Sequence, residues 1–253
     1  MLTGKKIGFY TLFVISLLVS SCSEQQYFVK GKSTQSTIDG EYAYMVPMNS
    51  TIAYVGTPQL LYLDSCRVVH GKFEMTGPLD SVQCVTIYMG SMRIPMVLET
   101  GEVSINYQNS NIQVSGTPLN DRFYSFLNTR DSLVFIQKEL FNQVSAMDLT
   151  TENLDDYTQM STSLKNVTAQ IDSVECDFVR NNIDNVLGVS WFLHMCDEAS
   201  NNAGRLFVPS YLEAIYENAP QTFRSNWAIR NYLQRCKNAQ SAPSEYHDFG
   251  SIH

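Results

Sequence analysis

The apolar residues of this chain change their spacing once, close to Pro118. Before Pro118, apolar and polar residues alternate over short runs, which predicts β-strands because successive side chains of a strand point to opposite faces. After Pro118, apolar residues recur at every third or fourth position, the spacing of a helix with one buried face. The sequence therefore predicts an α+β chain, in which a β-sandwich or partial barrel is followed by a helical domain.

The first part contains candidate strands separated by segments rich in Gly, Asn, Asp, Ser and Pro. No helical pattern lies between these strands, so antiparallel sheets are expected. The candidate strands are residues 27–32, 41–47, 60–63, 66–69, 72–76, 82–89, 94–98, 103–107 and 112–115.

The second part begins with two apolar stripes that predict a long antiparallel helical hairpin. The first stripe runs from Leu119 to Met147 and the second from Leu164 to Phe178, with a polar turn between them. The stripes could instead bind a partner helix, but core packing is the commoner use of such spacing. Further helices are expected at residues 183–198, 210–217 and 222–237. Their core is expected to come from Trp191, Phe192, Trp227 and Tyr232.

The N-terminus has the pattern of a bacterial lipoprotein signal. Lys5 and Lys6 precede an uncharged run that is too short to span a bilayer as a helix, and small residues precede Cys22. Val19-Ser20-Ser21-Cys22 fits the lipobox, in which the cysteine is acylated and becomes the first residue of the mature protein. We therefore expect a signal peptide at 1–21 and a lipidated linker at 22–26. A plain signal peptide, with an incidental Cys22, is the alternative.

The net charge argues against nucleic acid as a partner. The formal charge of −8 becomes −10 without residues 1–21, which hold Lys5 and Lys6 and no acid. An acidic surface repels phosphate backbones and anionic lipid headgroups. The acyl chains on Cys22 are therefore expected to hold the protein on a membrane of the bacterial cell envelope. The outer membrane, on its periplasmic or its outward face, is the expected location.

Three short motifs resemble one known family. Residues 64–78 contain Asp-Ser, an apolar pair, Gly-Lys-Phe and Gly-Pro, and they are followed by VLETGEV at 97–103 and VSGTPLN at 114–120. In this order the motifs resemble the family called domain of unknown function 4369, over roughly residues 27 to 127. Members of that family are mostly exported lipoproteins of Bacteroides-like bacteria. Many of them carry a thioredoxin-like thiol-disulfide oxidoreductase module after the domain.

The resemblance also implies a layout for this chain. In the oxidoreductases of the family, an Ala-Pro pair followed closely by Phe opens the thioredoxin-like module. Here Ala242-Pro243 is present, but the sequence ends at His253. The chain is therefore similar to the non-catalytic N-terminal half of those enzymes. The expected parts are a β-sandwich domain at 27–118, a helical domain at 119–241 and a flexible tail at 242–253.

The cysteines do not follow a redox pattern. Thioredoxin-like catalysis needs two thiols one turn apart at a helix N-terminus, and no Cys-x-x-Cys occurs. An oxidising compartment could pair some of the cysteines, for example Cys66 with Cys84, but buried free thiols are expected for most of them. The cysteines besides Cys22 are Cys66, Cys84, Cys176, Cys196 and Cys236.

No metal, cofactor or nucleophile site is predicted. Only His194, Cys196 and Asp197 place candidate ligands close together, and Cys196 would point away from the other two on a helix. A structural role for His194 is therefore expected. The sequence also lacks Gly-x-Ser-x-Gly, a phosphate-binding glycine loop and HExxH, and no carboxylate pair is singled out. The other histidines are scattered, at His70, His247 and His253.

Two further patterns concern the surface. An aromatic row in the strands could be a carbohydrate or peptide platform, but cross-strand packing with solvated hydroxyls is favoured. Three Asp-Ser-aliphatic tripeptides look like the O-glycosylation acceptors of Bacteroides-type exported proteins. The aromatic row is Tyr42, Tyr44, Tyr54, Tyr62, Tyr88 and Tyr107. The candidate acceptors are Ser81, Ser132 and Ser173.

Two functions from different classes remain open. The first is a non-catalytic envelope lipoprotein that binds a protein partner, which could be its own copy. The second is an accessory to a thiol-disulfide oxidoreductase, which docks a separate thioredoxin-like protein or uses one of its own cysteines. The first is preferred because no catalytic motif is present.

Overall fold

The computed structural model describes residues 25–34, 36–48, 62–108, 111–147 and 153–241. Within these residues, strands come first and helices follow, as the change of hydrophobic period predicts. The strands are β1 (Gln26–Ser33), β2 (Tyr42–Pro47), β3 (Asp64–Arg67), β4 (Lys72–Pro78), β5 (Gln83–Met89), β6 (Met92–Leu98), β7 (Gly101–Gln108) and β8 (Asn111–Ser115). The α-helices are α1 (Pro118–Ser145), α2 (Leu154–Asn181), α3 (Val186–Ala203), α4 (Ser210–Asn218), α5 (Gln221–Arg224) and α6 (Trp227–Ser241).

The strands form two four-stranded sheets. The first sheet has the order β4-β1-β7-β8 and the second the order β3-β2-β5-β6. Five of the pairings are antiparallel, but β1 and β7 are parallel, which differs from the all-antiparallel expectation. Between β1 and β7 the chain crosses to the second sheet and back twice, returning once as β4, and a long connection of this kind is what parallel neighbours require. The predicted fold class, two sheets followed by helices, is confirmed.

The two sheets and the helices make three layers. In β1, Tyr27 and Val29 are buried while Phe28 and Lys30 face solvent, so the first sheet is covered on one side only. In β5, neighbouring residues from Cys84 to Ile87 are all buried, because the helices cover the outer side of the second sheet at one end. Because both faces of β5 are covered, its sequence is largely apolar and does not alternate between apolar and polar residues.

A tight turn at His70 and Gly71 leads from the second sheet to the first. Both residues have positive φ, 52° and 69°, and Val69 and Lys72 exchange backbone hydrogen bonds of 2.9 and 3.0 Å. These are the features of a type I′ hairpin turn. The turn lies between the candidate strands at 66–69 and 72–76, and the strands on its two sides, β3 and β4, belong to different sheets.

Most strand and helix boundaries lie within two residues of the sequence prediction. Of the candidate strand at 60–63, residues 62 and 63 are not in a strand, and residues 60 and 61 lie outside the described residues. β3 is Asp64–Arg67 rather than 66–69, and α3 is Val186–Ala203 rather than 183–198. The candidate helix at 222–237 is two helices, α5 and α6. The break comes at Asn226, whose side chain accepts a hydrogen bond of 2.9 Å from the amide of Ala228 and so caps a new helix.

The break between α5 and α6 corrects one core assignment. Trp191, Phe192 and Tyr232 are buried as predicted, but the side chain of Trp227 is 75% exposed. Because α6 restarts at Trp227, its buried face begins at Ile229, and Phe223 of α5 fills the core position. Trp227 therefore projects into solvent from the first turn of α6.

The helical hairpin is anchored at one end only. Buried residues from the sheets and from the bases of α1 and α2 form one continuous hydrophobic cluster. No residue of α1 after Phe126, and none of α2 before Ile171, is fully buried. More than half of each helix in the predicted hairpin therefore extends beyond the hydrophobic core.

Candidate functional site

The second and third sequence motifs meet where β6 ends and α1 begins. Glu99 follows β6 and is buried, and one of its carboxylate oxygens accepts hydrogen bonds from the backbone amides of Leu119 and Asn120, at 2.9 and 3.2 Å. These amides belong to the first turn of α1, where a helix has no internal acceptors and its dipole favours an anion. Thr117, at the N-cap, makes no capping bond with its own side chain. Glu99 therefore caps α1 from the neighbouring sheet.

Asn120 closes the outer edge of β6. Its side chain is fully buried, accepts a hydrogen bond from the amide of Val97 at 2.9 Å and donates one to the carbonyl of Val97 at 2.7 Å. It also donates to the hydroxyl of Thr117 at 2.8 Å. An exposed sheet edge invites pairing with another chain, and here an amide side chain takes the place of a neighbouring strand. The Tyr124 hydroxyl donates to the carbonyl of Pro95 on the same edge, at 3.0 Å.

The polar groups of this junction satisfy one another in a buried site, and they link the end of β6 to the start of α1. Both motifs are recognisable in the sequence, but their contact is not. The available signal was an asparagine in the first turn of the helix, directly after Thr117-Pro118. Such a residue needs a partner if it is buried.

The aromatic row lies on the solvent side of the second sheet. Tyr42, Tyr44 and Tyr62 are 50%, 38% and 53% exposed. The ring centroid of Tyr44 lies 5.9 Å from that of Tyr42 and 5.5 Å from that of Tyr62. Tyr88 lies directly opposite Tyr44 on β5, and the guanidinium of Arg93 is 5.7 Å from the Tyr88 ring centroid. The rings therefore pack on one another, as favoured, but away from the core. Of the other two members of the row, Tyr107 is in the first sheet and Tyr54 lies outside the described residues.

A concave region of about 540 Å³ lies beside these rings, lined by Tyr42, Tyr44, Tyr88 and the backbone turn at Gly40 and Glu41. Tyrosine offers a large, rigid contact surface that loses little conformational entropy on binding. This face is therefore a surface on which a ligand could rest, and Glu41 is the charged residue among those that line it.

The candidate ligands His194, Cys196 and Asp197 are not brought together. Cys196 is fully buried, while His194 and Asp197 are exposed on the other side of α3. The Nε2 of His194 lies 3.7 Å from Glu198, and its ring centroid is 4.6 Å from that of Trp191. Among the described residues no group of three or more His, Cys, Asp or Glu side chains is arranged to hold a metal ion.

A buried ion pair close to His194 joins three helices. Arg130 of α1 donates to the carboxylate of Glu175 of α2, and both side chains are largely buried. The Arg130 guanidinium also lies over the ring of Trp191 on α3, 5.4 Å from its centroid. Burial raises the pKa of Glu175, and the charge of Arg130 opposes that change. Because each charge is paired, the ion pair links α1 to α2 at the base of the hairpin.

The five cysteines of the described residues are free thiols. Cys66 and Cys84, the pair considered from sequence, cannot meet. β2 lies between their strands, and Cys66 is opposite Ala43 of the buried inner face whereas Cys84 faces the helices. Two strand spacings are about 10 Å, well beyond the reach of a disulfide.

Burial makes these thiols weakly acidic. It raises the pKa of all five and brings that of Cys84 to about 11, with a hydrogen bond from Ser190 opposing the rise. The thiolate is the reactive form of cysteine, so a raised pKa means low reactivity at neutral pH. Cys66, which has Arg67 beside it in sequence, is no exception.

The environment of Cys84 predicts a loss of stability in alkali. Below pH 9 the thiol is protonated in both the folded and unfolded chains. Between pH 9 and about 11 only the unfolded chain releases this proton, so the free energy of unfolding should fall by about 2–3 kcal/mol. Urea unfolding measured at pH 8, 9, 10 and 11 tests this. Cys84→Ala should show a shallower decline than the unaltered chain, and equal slopes would contradict the assignment.

The remaining predicted site residues divide between described and undescribed segments. Ser81, Ser132 and Ser173 are all exposed, so each hydroxyl is on the surface, as an acceptor of O-glycosylation must be. Cys22, the predicted lipidation site, lies outside the described residues. Among the described helices, none combines the length and the apolar character needed to cross a membrane.

One side of the free part of the hairpin is apolar and only partly covered. Gln137 of α1 donates a hydrogen bond of 2.9 Å to Thr168 of α2, which marks the line of contact between the helices. Ile136 precedes Gln137 and Val167 precedes Thr168 in the sequence. Because the helices are antiparallel, these two residues lie on the same side of the line of contact. Residues at helical spacing extend that side along both helices. We call it the open face, and it consists of Ile136, Leu140, Met147, Met160, Leu164 and Val167.

Comparison with known families agrees with the resemblance seen in the motifs. A family model described as "Domain of unknown function (DUF4369)" matches residues 27–123. The matched segment runs from the start of β1 to the first turns of α1, so it includes both sheets and the junction of Glu99 with Asn120. No curated protein matches the chain.

Proposed function

Because residues 27–123 carry a DUF4369 domain, we propose that this chain is a non-catalytic lipoprotein of the bacterial cell envelope that works as an interaction module. The observation that carries this proposal is the free part of the hairpin. It presents a long apolar surface on a rigid pair of helices, while the sheets and the hairpin base supply the stable fold beneath it.

The exposed side chains on the hairpin support a binding role. Phe135, Ile136 and Phe141 of α1 and Leu154 of α2 are 66%, 44%, 58% and 48% exposed. Single exposed apolar residues are common on protein surfaces, but several large ones on one protruding element typify an interaction site. A protein partner is the natural ligand for such a surface, since helices commonly pack through apolar stripes.

The membrane anchor rests on the N-terminal sequence. If Cys22 carries the lipid, only three residues separate it from the start of β1 at Gln26. An extended linker of that length spans about 14 Å, so the first sheet would lie close to the membrane surface. The module would then act within the envelope, at a short and fixed distance from the bilayer.

Replacing Cys22 with Ser should abolish acylation and leave the signal peptide uncleaved. The thiol is the atom that accepts the lipid, and the lipoprotein peptidase acts on the acylated form. Metabolic labelling with a fatty acid and the mass of the membrane-bound protein measure both steps. Cys66→Ser is the matched control and should be labelled and processed normally. A Cys22→Ser protein that is still processed and labelled would refute the lipoprotein assignment.

The alternative role, as an accessory to a thiol-disulfide oxidoreductase, gains no support from the chain's own thiols. All five have a raised pKa and four of them are buried, which is unfavourable for disulfide exchange. If the chain serves such an enzyme, it would do so by docking, which again requires a binding surface such as the hairpin.

A further inference from the structure

We propose that the open face of the hairpin binds the open face of a second copy of this chain, so that two hairpins form a four-helix bundle. This inference rests on the proposed interaction role and names its partner. It follows from what the free part of the hairpin lacks, from the composition of the open face, and from the area that two copies would cover.

The free part of the hairpin lacks a second layer of packing. An amphipathic helix in a domain is stabilised mainly by burying its apolar face against other elements. At the base, α3 and the second sheet provide that cover, and Phe123, Phe126 and Ile171 are buried there. Beyond the base, the apolar residues of α1 and α2 are at best half-buried between two helices. A second hairpin is the simplest structure that would complete their burial.

The open face suits a partner of identical sequence. None of its six residues is charged, and the side chains between them on the same side include Gln143 and Ser163. Asp156, one turn before Met160, is a charged residue at the end of this side. In a two-fold symmetric contact each residue meets the same surface on the partner, so a charged face would place like charges together. An apolar face with its charge confined to Asp156, at the free end, keeps this repulsion small, even though the chain as a whole is acidic.

Two copies would cover an adequate area. The free part of α1, residues 127–145, is about 28 Å long, and each helix is about 10 Å wide. One side of the helix pair therefore covers roughly 550 Å², and two copies would bury about 1,100 Å², which passes the roughly 1,000 Å² expected of a specific interface. Anchoring in one membrane would further favour the pair by raising the local concentration of copies.

A lipid surface fits the hairpin less well than a second copy does. Asp155 and Asp156 lie in the first turn of α2, at the free end of the hairpin. This end would meet the bilayer first if the hairpin inserted by its tip. Their charge disfavours contact with anionic headgroups. The open face also runs along the side of the helices, whereas insertion of the tip would leave most of it uncovered.

Cysteine crosslinking of the full chain in its own membranes tests the proposal. Ile136→Cys, on the open face, should form a covalent dimer of twice the chain mass when treated with a short bismaleimide. Lys138→Cys is the matched control, because it is an exposed residue two positions further along and points about 200° away around the helix. The unaltered chain should give little product, since its described thiols are mostly buried.

A second pair of variants separates binding from folding. Adding Val167→Glu to Ile136→Cys should reduce the crosslinked fraction at least tenfold. Each of the two chains would then bury one carboxylate in the contact between them. Adding Thr162→Glu, an exposed position on the same helix away from the open face, should leave the fraction unchanged. The fraction is taken relative to total chain in the membrane, so a lower protein level does not mimic lost binding.

Three other outcomes would each contradict a stated part of the proposal. Equal dimer yields from Ile136→Cys and Lys138→Cys would show random collision and overturn the proposal. An adduct of a different mass, lost with Val167→Glu, would overturn the second copy as the partner but retain the binding role of the hairpin. No Ile136→Cys adduct of any mass would contradict both the dimer and the open face as the binding surface.

Discussion

Replacing Asn120 with Leu should lower the free energy of unfolding by about 3–5 kcal/mol, the largest loss expected from any single polar side chain of the junction. Leucine has nearly the same size and would fill the space. It would, however, leave both the amide and the carbonyl of Val97 without their partners in a buried site, and the hydroxyl of Thr117 would lose its donor. Each unsatisfied buried group costs about 1–3 kcal/mol.

Urea unfolding of the full chain measures this effect. Asn128→Leu is the matched control, because Asn128 is exposed on the same helix two turns further along. It should change stability by less than about 0.5 kcal/mol. If Asn120→Leu cost less than about 1 kcal/mol, the amide of Asn120 would not be what closes the edge of β6. Because that edge would then be exposed, the Leu variant should also aggregate more readily than the Asn128 variant.

Replacing Gly116 with Ala should be similarly damaging, for a reason of backbone shape. Gly116 has a φ of +104°, in the region that favours glycine, and a Cβ placed on it would lie 2.5 Å from the carbonyl oxygen of Glu102. The collision is with backbone of the neighbouring strand β7, which cannot move without disturbing the sheet. We expect a loss of about 3–5 kcal/mol, from the strained φ together with the displaced backbone.

Gly90 provides the control for the conformational part of that loss. It also has positive φ, +57°, but a Cβ there meets nothing within 4 Å. Gly90→Ala should therefore cost about 1–2 kcal/mol, the penalty for a left-handed residue alone. Chemical denaturation of the two variants isolates the steric term as the difference between them. Equal losses would mean that the turn before α1 relaxes freely, and that Gly116 is needed only for its φ.

The two changes also explain why the motif at 114–120 has its residue types. Gly116 permits the turn out of β8, Pro118 begins α1 at a position where no amide donor is needed, and Asn120 reaches back to β6. One short segment therefore ends a strand of the first sheet, starts a helix and seals an edge of the second sheet. Its role is in the architecture, which is consistent with a domain that supports an interaction surface elsewhere.

The hydrophobic period of the sequence determined the fold class, because the period of a strand or helix is a local property. The alternation around Val29 and Met75, the turn at Gly71 and the stripes of the hairpin were all readable without a structure. The positions of the cysteines also excluded a redox motif of the Cys-x-x-Cys kind before any contact was known.

Only the tertiary structure decided which of these elements meet. Periodicity does not state which sheet a strand joins, so the parallel pairing of β1 with β7 and the separation of Cys66 from Cys84 could not be foreseen. The buried partners of Glu99 and Asn120 are about twenty residues apart in sequence, and nothing local specifies such a contact. The same stripe spacing predicts a buried helix and a half-covered one. Which side of the hairpin remains open depended on where α3 and the second sheet pack, because burial is a property of the assembled layers rather than of any one segment.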